Sequence, residues 1–257
     1  MTLSIELSRP ADGVALVTVN NPPRNQLSAE ALRMFHRVLD ETDADEGVRC
    51  LIVTGTGRSW CAGADLREER ERTDNARPRD DSSTGFGALM TRLESNRVPV
   101  IGAINGHAIG GGMELALCCD IRIGSEGARF MCAAVNVGLL LSWYRLPRTI
   151  GLGPAKQMLL TGSLFDADWA YRNGLLTEIV PADQLLARAV EMAQRIATRA
   201  PLSVEATKEF ANQAFELDLA SAMALQQDKF VQLAASDDHR EAVAAFLEKR
   251  EASFQRR

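Results

Sequence analysis

Two glycine-containing turns, each following an apolar run, carry the residue types best suited to chemistry. The first reads Ser59-Trp60-Cys61-Ala62-Gly63-Ala64-Asp65-Leu66, and the second Asn105-Gly106-His107-Ala108-Ile109-Gly110-Gly111-Gly112-Met113-Glu114-Leu115. A triple glycine costs backbone entropy, so a fold keeps it where a backbone must approach something closely. Where such a turn opens a helix, free N–H groups point outward and the helix dipole adds partial positive charge. That arrangement is the recipe for an oxyanion hole. The same glycines also suit a tight helix–strand crossing that needs no side chain. Glu114 falls in the first helical turn after the glycines, where a carboxylate can act as general acid or base. The alternative is a carboxylate that only complements the helix dipole.

Such turns need strands before them and helices after them. Ser4 to Leu7 alternates, Asp12-Gly13 makes a turn, and Val14 to Val19 returns as a strand. Ser28 is an N-cap for a helix with Leu32, Phe35, Val38 and Leu39 on one face. Val48 to Thr54 and Val98 to Ile104 read as strands buried on both faces. Arg67 to Ser83 is dense in Arg, Glu and Asp and reads as a surface helix end and a mobile loop. The glycine turn Gly106 to Gly112 opens a helix through Cys119, and Asp120 to Ile123 is again a strand. Repeated strand–helix units predict an α/β domain with mostly parallel pairing. After Gly151 the texture is helical. Stretches at 154–161, with Pro154 as N1, 166–173, 182–199, 202–234 and 237–250 are predicted, with Leu176 to Val180 extended.

Composition narrows the function. The chain has 257 residues, with 46% hydrophobic and 25% charged, and a net charge of −5. Nothing forms the basic footprint of a nucleic-acid binder. The five cysteines (Cys50, Cys61, Cys118, Cys119, Cys132) contain no C-x-x-C pair, which speaks against a disulfide framework or zinc site and for a reducing cytoplasm. The N-terminus shows no signal peptide, and no apolar run is long enough to span a membrane. Gly55-Thr56-Gly57 mimics a dinucleotide loop, but Trp60 stands where the third glycine should be. No phosphate-loop or nucleophile-elbow motif exists, and His36, His107 and His239 lie far apart without metal spacing, so no metal is expected.

Taken together, the two turns resemble those of the crotonase (enoyl-CoA hydratase/isomerase) superfamily. The matching segments are Asn25-Gln26-Leu27, Cys61 to Leu66, Asn105-Gly106 with Gly110 to Ala116, and Cys119-Asp120-Ile121-Arg122. Ala155 to Gly162, Asn173-Gly174-Leu175 and Phe246-Leu247-Glu248-Lys249-Arg250 continue the match in order. The resemblance implies an α/β fold, a crotonase-like spiral of repeated ββα units with a helical C-terminal appendage. It implies a core over residues 1–195 and a helical trimerisation region over 196–257. It further implies that the N–H groups of Ala64 and Gly111 bind a thioester oxygen, with Glu114 as the acid–base group. Cys61, Ala62, Asp65, Leu66 and Gly110 would line the CoA site, with Arg24, Phe230 and Lys249 as further CoA contacts.

The chain also departs from the pattern. Hydratases of this family hold the attacking water between two glutamates. The first matches Glu114, and the second falls at Ala134, which can neither give nor take a proton. The family's Pro-Gly-Ala-Gly-Gly run after Gly138 reads Leu139-Leu140-Leu141-Ser142-Trp143-Tyr144. Ala134, Asn136, Leu141 and Tyr144 are therefore candidates for the acyl pocket, and Asn136 or Tyr144 for orienting a water. Three functions follow: an enoyl-CoA hydratase, as in fatty acid metabolism; a double-bond isomerase, for which one carboxylate suffices; or a non-catalytic acyl-CoA-binding homologue. No cofactor is implied beyond the CoA of the substrate, nor any nucleic-acid or membrane partner. The family resemblance implies a homotrimer or a dimer of trimers.

Overall fold

Each long apolar run of the first half enters one sheet, and the short run after it enters another. The computed structural model describes residues 3–76 and 83–257. Strands β1 (Ser4–Ala11) and β2 (Val14–Asn20) pair antiparallel around Asp12-Gly13. Helix α1 (Ala29–Ala44) leads to β3 (Cys50–Gly55), which joins β2 in parallel. β4 (Ser59–Cys61) leaves for the second sheet, followed by α2 (Leu66–Asp74) and α3 (Phe86–Glu94). The step repeats with β5 (Val100–Ile104), β6 (His107–Ile109) and α4 (Gly111–Leu117). It repeats again with β7 (Ile121–Ser125), β8 (Arg129–Met131), a 3-10 turn at Ala133–Val137 and α5 (Arg145–Ile150). This is the expected spiral of ββα units. The remainder comprises α6 (Leu152–Thr161), β9 (Phe165–Asp166), α7 (Ala167–Arg172), β10 (Glu178–Val180) and α8 (Leu185–Ala197). Three helices close the chain, α9 (Pro201–Gln213), α10 (Leu219–Ala234) and α11 (Asp237–Glu248).

The large sheet has the order β1-β2-β3-β5-β7-β10 and the small one β4-β6-β8-β9. All neighbours in the large sheet beyond the first hairpin are parallel, so both of its faces must be covered. On one face Val17, Val19, Leu51, Val53 and Ile104 pack with Phe35 and Leu39 of α1, Leu89 of α3 and Met113 of α4. On the other, Leu16, Ile52, Ile101 and Ile123 meet Leu185, Ala189 and Ala193 of α8. Each fully buried large side chain contributes roughly 1.5–3 kcal/mol relative to exposure. Ser28 caps α1, accepting from Ala31 N at 3.1 Å, as its position predicted.

Several expected boundaries move. The helix predicted over 202–234 is two helices, because Asp218 caps a new one, accepting from Ser221 N at 3.0 Å. Pro154 is not at N1, since α6 already begins at Leu152; the N1 proline is Pro201 of α9. The second glycine turn contains β6 before α4 opens. The expected mobile loop falls partly on residues 77–82, outside the described residues; its first part is α2.

Candidate functional site

Backbone and buried amides clamp the two glycine turns together. Asn25 donates through Nδ2 to the carbonyls of Ser59 (2.6 Å) and Thr56 (2.9 Å). Asn105 donates to Gly57 O at 2.9 Å and accepts from Gly55 N at 3.1 Å. Residues 24–27 run alongside the first turn, with Ala62 N donating to Arg24 O at 3.0 Å and Leu27 N to Gly63 O at 2.7 Å. The turns then meet backbone to backbone. A Cβ on Gly63 would lie 2.6 Å from Gly111 N, and one on Gly112 only 1.9 Å from the Cys61 carbonyl oxygen. Glycine is therefore required at both positions for close approach, and at Gly63, with φ +79, for the left-handed backbone as well. The Phe86 ring lies against Gly111, 3.0 Å from where its Cβ would be.

Ala64 is exposed and Gly111 half-buried, and neither N–H donates to an acceptor among the described residues. Two free amides thus flank the junction of the turns. α4 has only seven residues, so these local amides, more than a long dipole, supply the positive field. Arg122 orients α4 from its other end. Its buried guanidinium donates to Ala116 O at 3.4 Å, a carbonyl that the helix end leaves open, to Cys119 O at 2.5 Å just beyond the helix, and to Leu175 O at 2.7 Å.

Glu114 faces inward from α4 and is 4% exposed. Its Oε1 accepts from Arg145 Nη1 at 2.5 Å, and its Oε2 accepts from Ser142 Oγ at 2.5 Å. Arg145 grips Glu94 as well, at 2.6 Å through Nη2 and 3.2 Å through Nε. Burial opposes the charge of Arg145, but the hydrogen bond to Glu94 and the facing negative groups outweigh it and hold the guanidinium firmly protonated. An isolated buried carboxylate is too costly to keep, and this ion pair offsets that cost. Burial, reinforced by the Glu114 charge and opposed by Ser142, pushes the Cys132 thiol up to about 12. Burial does the same to Cys61, also about 12, so both sit here as inert thiols rather than nucleophiles.

Of the residues singled out in the sequence, Cys61, Ala62, Ala64, Asp65, Leu66, Gly110, Gly111 and Glu114 share this junction. Asp65 caps α2, accepting from Arg67 N at 2.9 Å. Gly110 donates to Met131 O at 2.9 Å, which ties the second turn to β8. Arg24 is exposed beside the first turn. Phe230 and Lys249 lie exposed on α10 and at the cap of α11. Ala134 and Leu141 are half-buried. Asn136 donates to Gly162 O at 2.9 Å, and the Tyr144 hydroxyl donates to Glu216. Sequence reasoning missed Ser142 and Arg145 as partners of Glu114, and Glu94 as the second partner of Arg145. The available signal was Ser142, a lone small polar residue inside Leu139-Leu140-Leu141-Ser142-Trp143-Tyr144.

A cavity of about 890 Å³ lies elsewhere, at the C-terminal end of α4. Glu94 and Arg145 line it together with Cys118, Arg199, Lys208 and Phe215, while Ala64 and Gly111 do not. It touches the far side of the ion pair, not the free amides. Among the described residues no cluster of metal-ligating side chains exists, and no helix is long and apolar enough to cross a membrane.

Residues 9–257 match the sequence family described as enoyl-CoA hydratase/isomerase. The chain is 37% identical to the short-chain-enoyl-CoA hydratase of Clostridium acetobutylicum, over 92% of each chain. It is 36% identical to the crotonyl-CoA hydratase of Syntrophomonas wolfei, over 94% of each. The crystal structure of enoyl-CoA hydratase from Bacillus anthracis superposes with a TM-score of 0.91 at 31% identity, covering 99% of this chain and 100% of that one.

Proposed function

Because the chain belongs to the enoyl-CoA hydratase/isomerase family, we propose that it adds water to the double bond of 2-enoyl-CoA thioesters, with Glu114 as its acid–base group. The observation that carries this reading is a buried carboxylate on the very helix whose first N–H is free. The thioester oxygen is held by Ala64 N–H and Gly111 N–H. Water attacks C3 and gives a proton to Glu114. The π electrons of C2=C3 move toward C1, and the oxygen becomes an enolate held by the two amides. The enolate then re-forms the carbonyl as C2 takes the proton from Glu114. One water is added, and the carboxylate is restored. Losing one such amide donor costs about 2.7–4 kcal/mol of transition-state stabilisation.

One carboxylate serves both transfers in this scheme, because Ala134 occupies the position of the family's second glutamate. A site with a single proton carrier also favours a second reading, migration of a double bond between C3 and C2. Cys61 to Leu66 with Arg24 would hold the CoA. We further propose a homotrimer or dimer of trimers, supported by α10, which buries none of its residues within one chain. We place the protein in the cytoplasm, since all five cysteines are buried free thiols.

The test follows loss of the conjugated enoyl-thioester absorbance with a short and a long trans-2-enoyl-CoA. Rapid loss is expected in the parent, with a fall of roughly 10²- to 10⁴-fold in Glu114→Gln. Loss only in Ala134→Glu would mean a site built for acyl-CoA whose own reaction is not hydration; turnover of 3-enoyl substrates would then assign the isomerase, and binding without turnover the non-catalytic homologue.

A further inference from the structure

Ser142 is buried, 4% exposed, yet its backbone stands at φ 62. Non-glycine residues avoid this left-handed region, at a cost of order 1–2 kcal/mol. The expected glycine run of this segment would fit it without strain. Here a serine occupies it, and its Oγ reaches Glu114 Oε2 at 2.5 Å across 28 residues of sequence. Such strain persists where the surrounding structure uses it.

The two partners of Glu114 differ in chemistry. Arg145 can only donate hydrogen bonds, whereas a serine hydroxyl donates or accepts. Oε1 is therefore held by a group that favours the bare carboxylate. Oε2 is held by a group that can reverse its role when a proton arrives. Tyr144 and Asn136, the other polar side chains of the segment, are engaged with Glu216 and Gly162.

Resting on the hydratase reading above, we infer that Ser142 is a positioning residue that directs the transferred proton to Glu114 Oε2. In the resting site Ser142 Oγ–H donates to Oε2. As water attacks C3, its proton settles on Oε2, and the Ser142 hydroxyl rotates so that Oγ accepts from the new Oε2–H. When C2 takes that proton, the hydroxyl turns back. No covalent bond to Ser142 forms, and no other reactant is needed. The hydroxyl takes up the role of second polar group at the carboxylate, in a chain that carries alanine at position 134.

Ser142→Ala and Ser142→Gly both remove the hydroxyl but differ in backbone strain. Glycine suits φ 62, so Ser142→Gly should melt no lower than Ser142→Ala. With trans-2-enoyl-CoA as substrate, both variants should lose roughly 10- to 100-fold in kcat, the usual weight of a hydrogen bond to a charged group, with KM within about threefold of the parent. A kcat near the parent's in either variant would overturn the inference and leave the hydratase reading standing. So would a loss confined to KM, or one that follows melting temperature instead of the missing hydroxyl. A parent that hydrates no enoyl-CoA overturns both.

Discussion

Arg145 Nη1 lies 2.5 Å from Glu114 Oε1, and the same guanidinium reaches Glu94 Oε2 at 2.6 Å. One cation thus serves two carboxylates, one buried and the other with its side chain 39% exposed. Arg145→Met strands the buried partner. Removing one side of a buried pair costs about 3–5 kcal/mol, and the low end is expected because Ser142 remains. That corresponds to a fall in Tm of roughly 6–12 °C. Glu114→Gln leaves Arg145 its Glu94 partner, so it should melt much closer to the parent while losing turnover. Equal Tm for Arg145→Met and the parent would show that the pair does not support the fold.

The contact between Gly63 and Gly111 makes a second expectation. Gly63→Ala adds a methyl 2.6 Å from Gly111 N at a backbone φ of +79. Gly57 has a similar φ of +68 with nothing within 4 Å of its Cβ position, so Gly57→Ala is the control for strain alone. Both should lose about 1–2 kcal/mol of stability from the left-handed backbone. Gly63→Ala alone should also lose turnover, because the turns that carry the Ala64 and Gly111 amides must part. Parallel melts and enoyl-CoA assays decide it; equal activity in both variants would detach the turn junction from function.

Glu205 of α9 bridges Arg97, at 2.8 Å, and Arg256, at 3.0 Å. Burial pushes its carboxyl upward, but hydrogen bonds from Arg256 and Arg97 more than reverse this and leave it below the usual 4.5. A carboxylate whose folded value is depressed contributes stability above its unfolded value and loses it as pH falls through the folded one. The C-terminal end should therefore loosen from the core below about pH 4.5. Glu205→Gln should lower Tm at pH 7 by about 2–4 °C for each kcal/mol lost, and should flatten the acid decline. A variant with the parent's full acid dependence would assign that decline to other groups.

Phe246 and Leu247 of α11 are 84% and 74% exposed, and Phe230 of α10 is 65% exposed. Exposed apolar side chains such as these are what the proposed oligomer would cover. The parent should elute and scatter light as a trimer or larger, and Phe246→Glu with Leu247→Glu should shift it toward the monomer. A monomeric parent would remove the oligomer from the proposal.

The chemistry-bearing turns were legible because they are local. Gly110-Gly111-Gly112 and Glu114 lie within one turn and one helix start, and the strands before them are continuous apolar runs that only a sheet covered on both faces explains. The N-cap at Ser28 was readable for the same reason. The break inside 202–234 was not, because Asp218 signals a cap only weakly inside a run that otherwise favours helix. Pro154 misled because proline is tolerated anywhere in the first helical turn.

Sequence by itself determined the alternation of strands and helices, the two turns and the buried strands, since hydrophobic period and glycine placement act over a few residues; the spiral arrangement of those units came from the family resemblance. Only the tertiary structure decided what surrounds Glu114. Ser142 and Arg145 stand 28 and 31 residues away along the chain, and Glu94 meets Arg145 across 51. These contacts depend on α5 and the segment before it packing against α4, a matter of side-chain volume and burial cost summed over the core. No local pattern records that sum, so the partners that tune the carboxylate emerge only when the chain is folded.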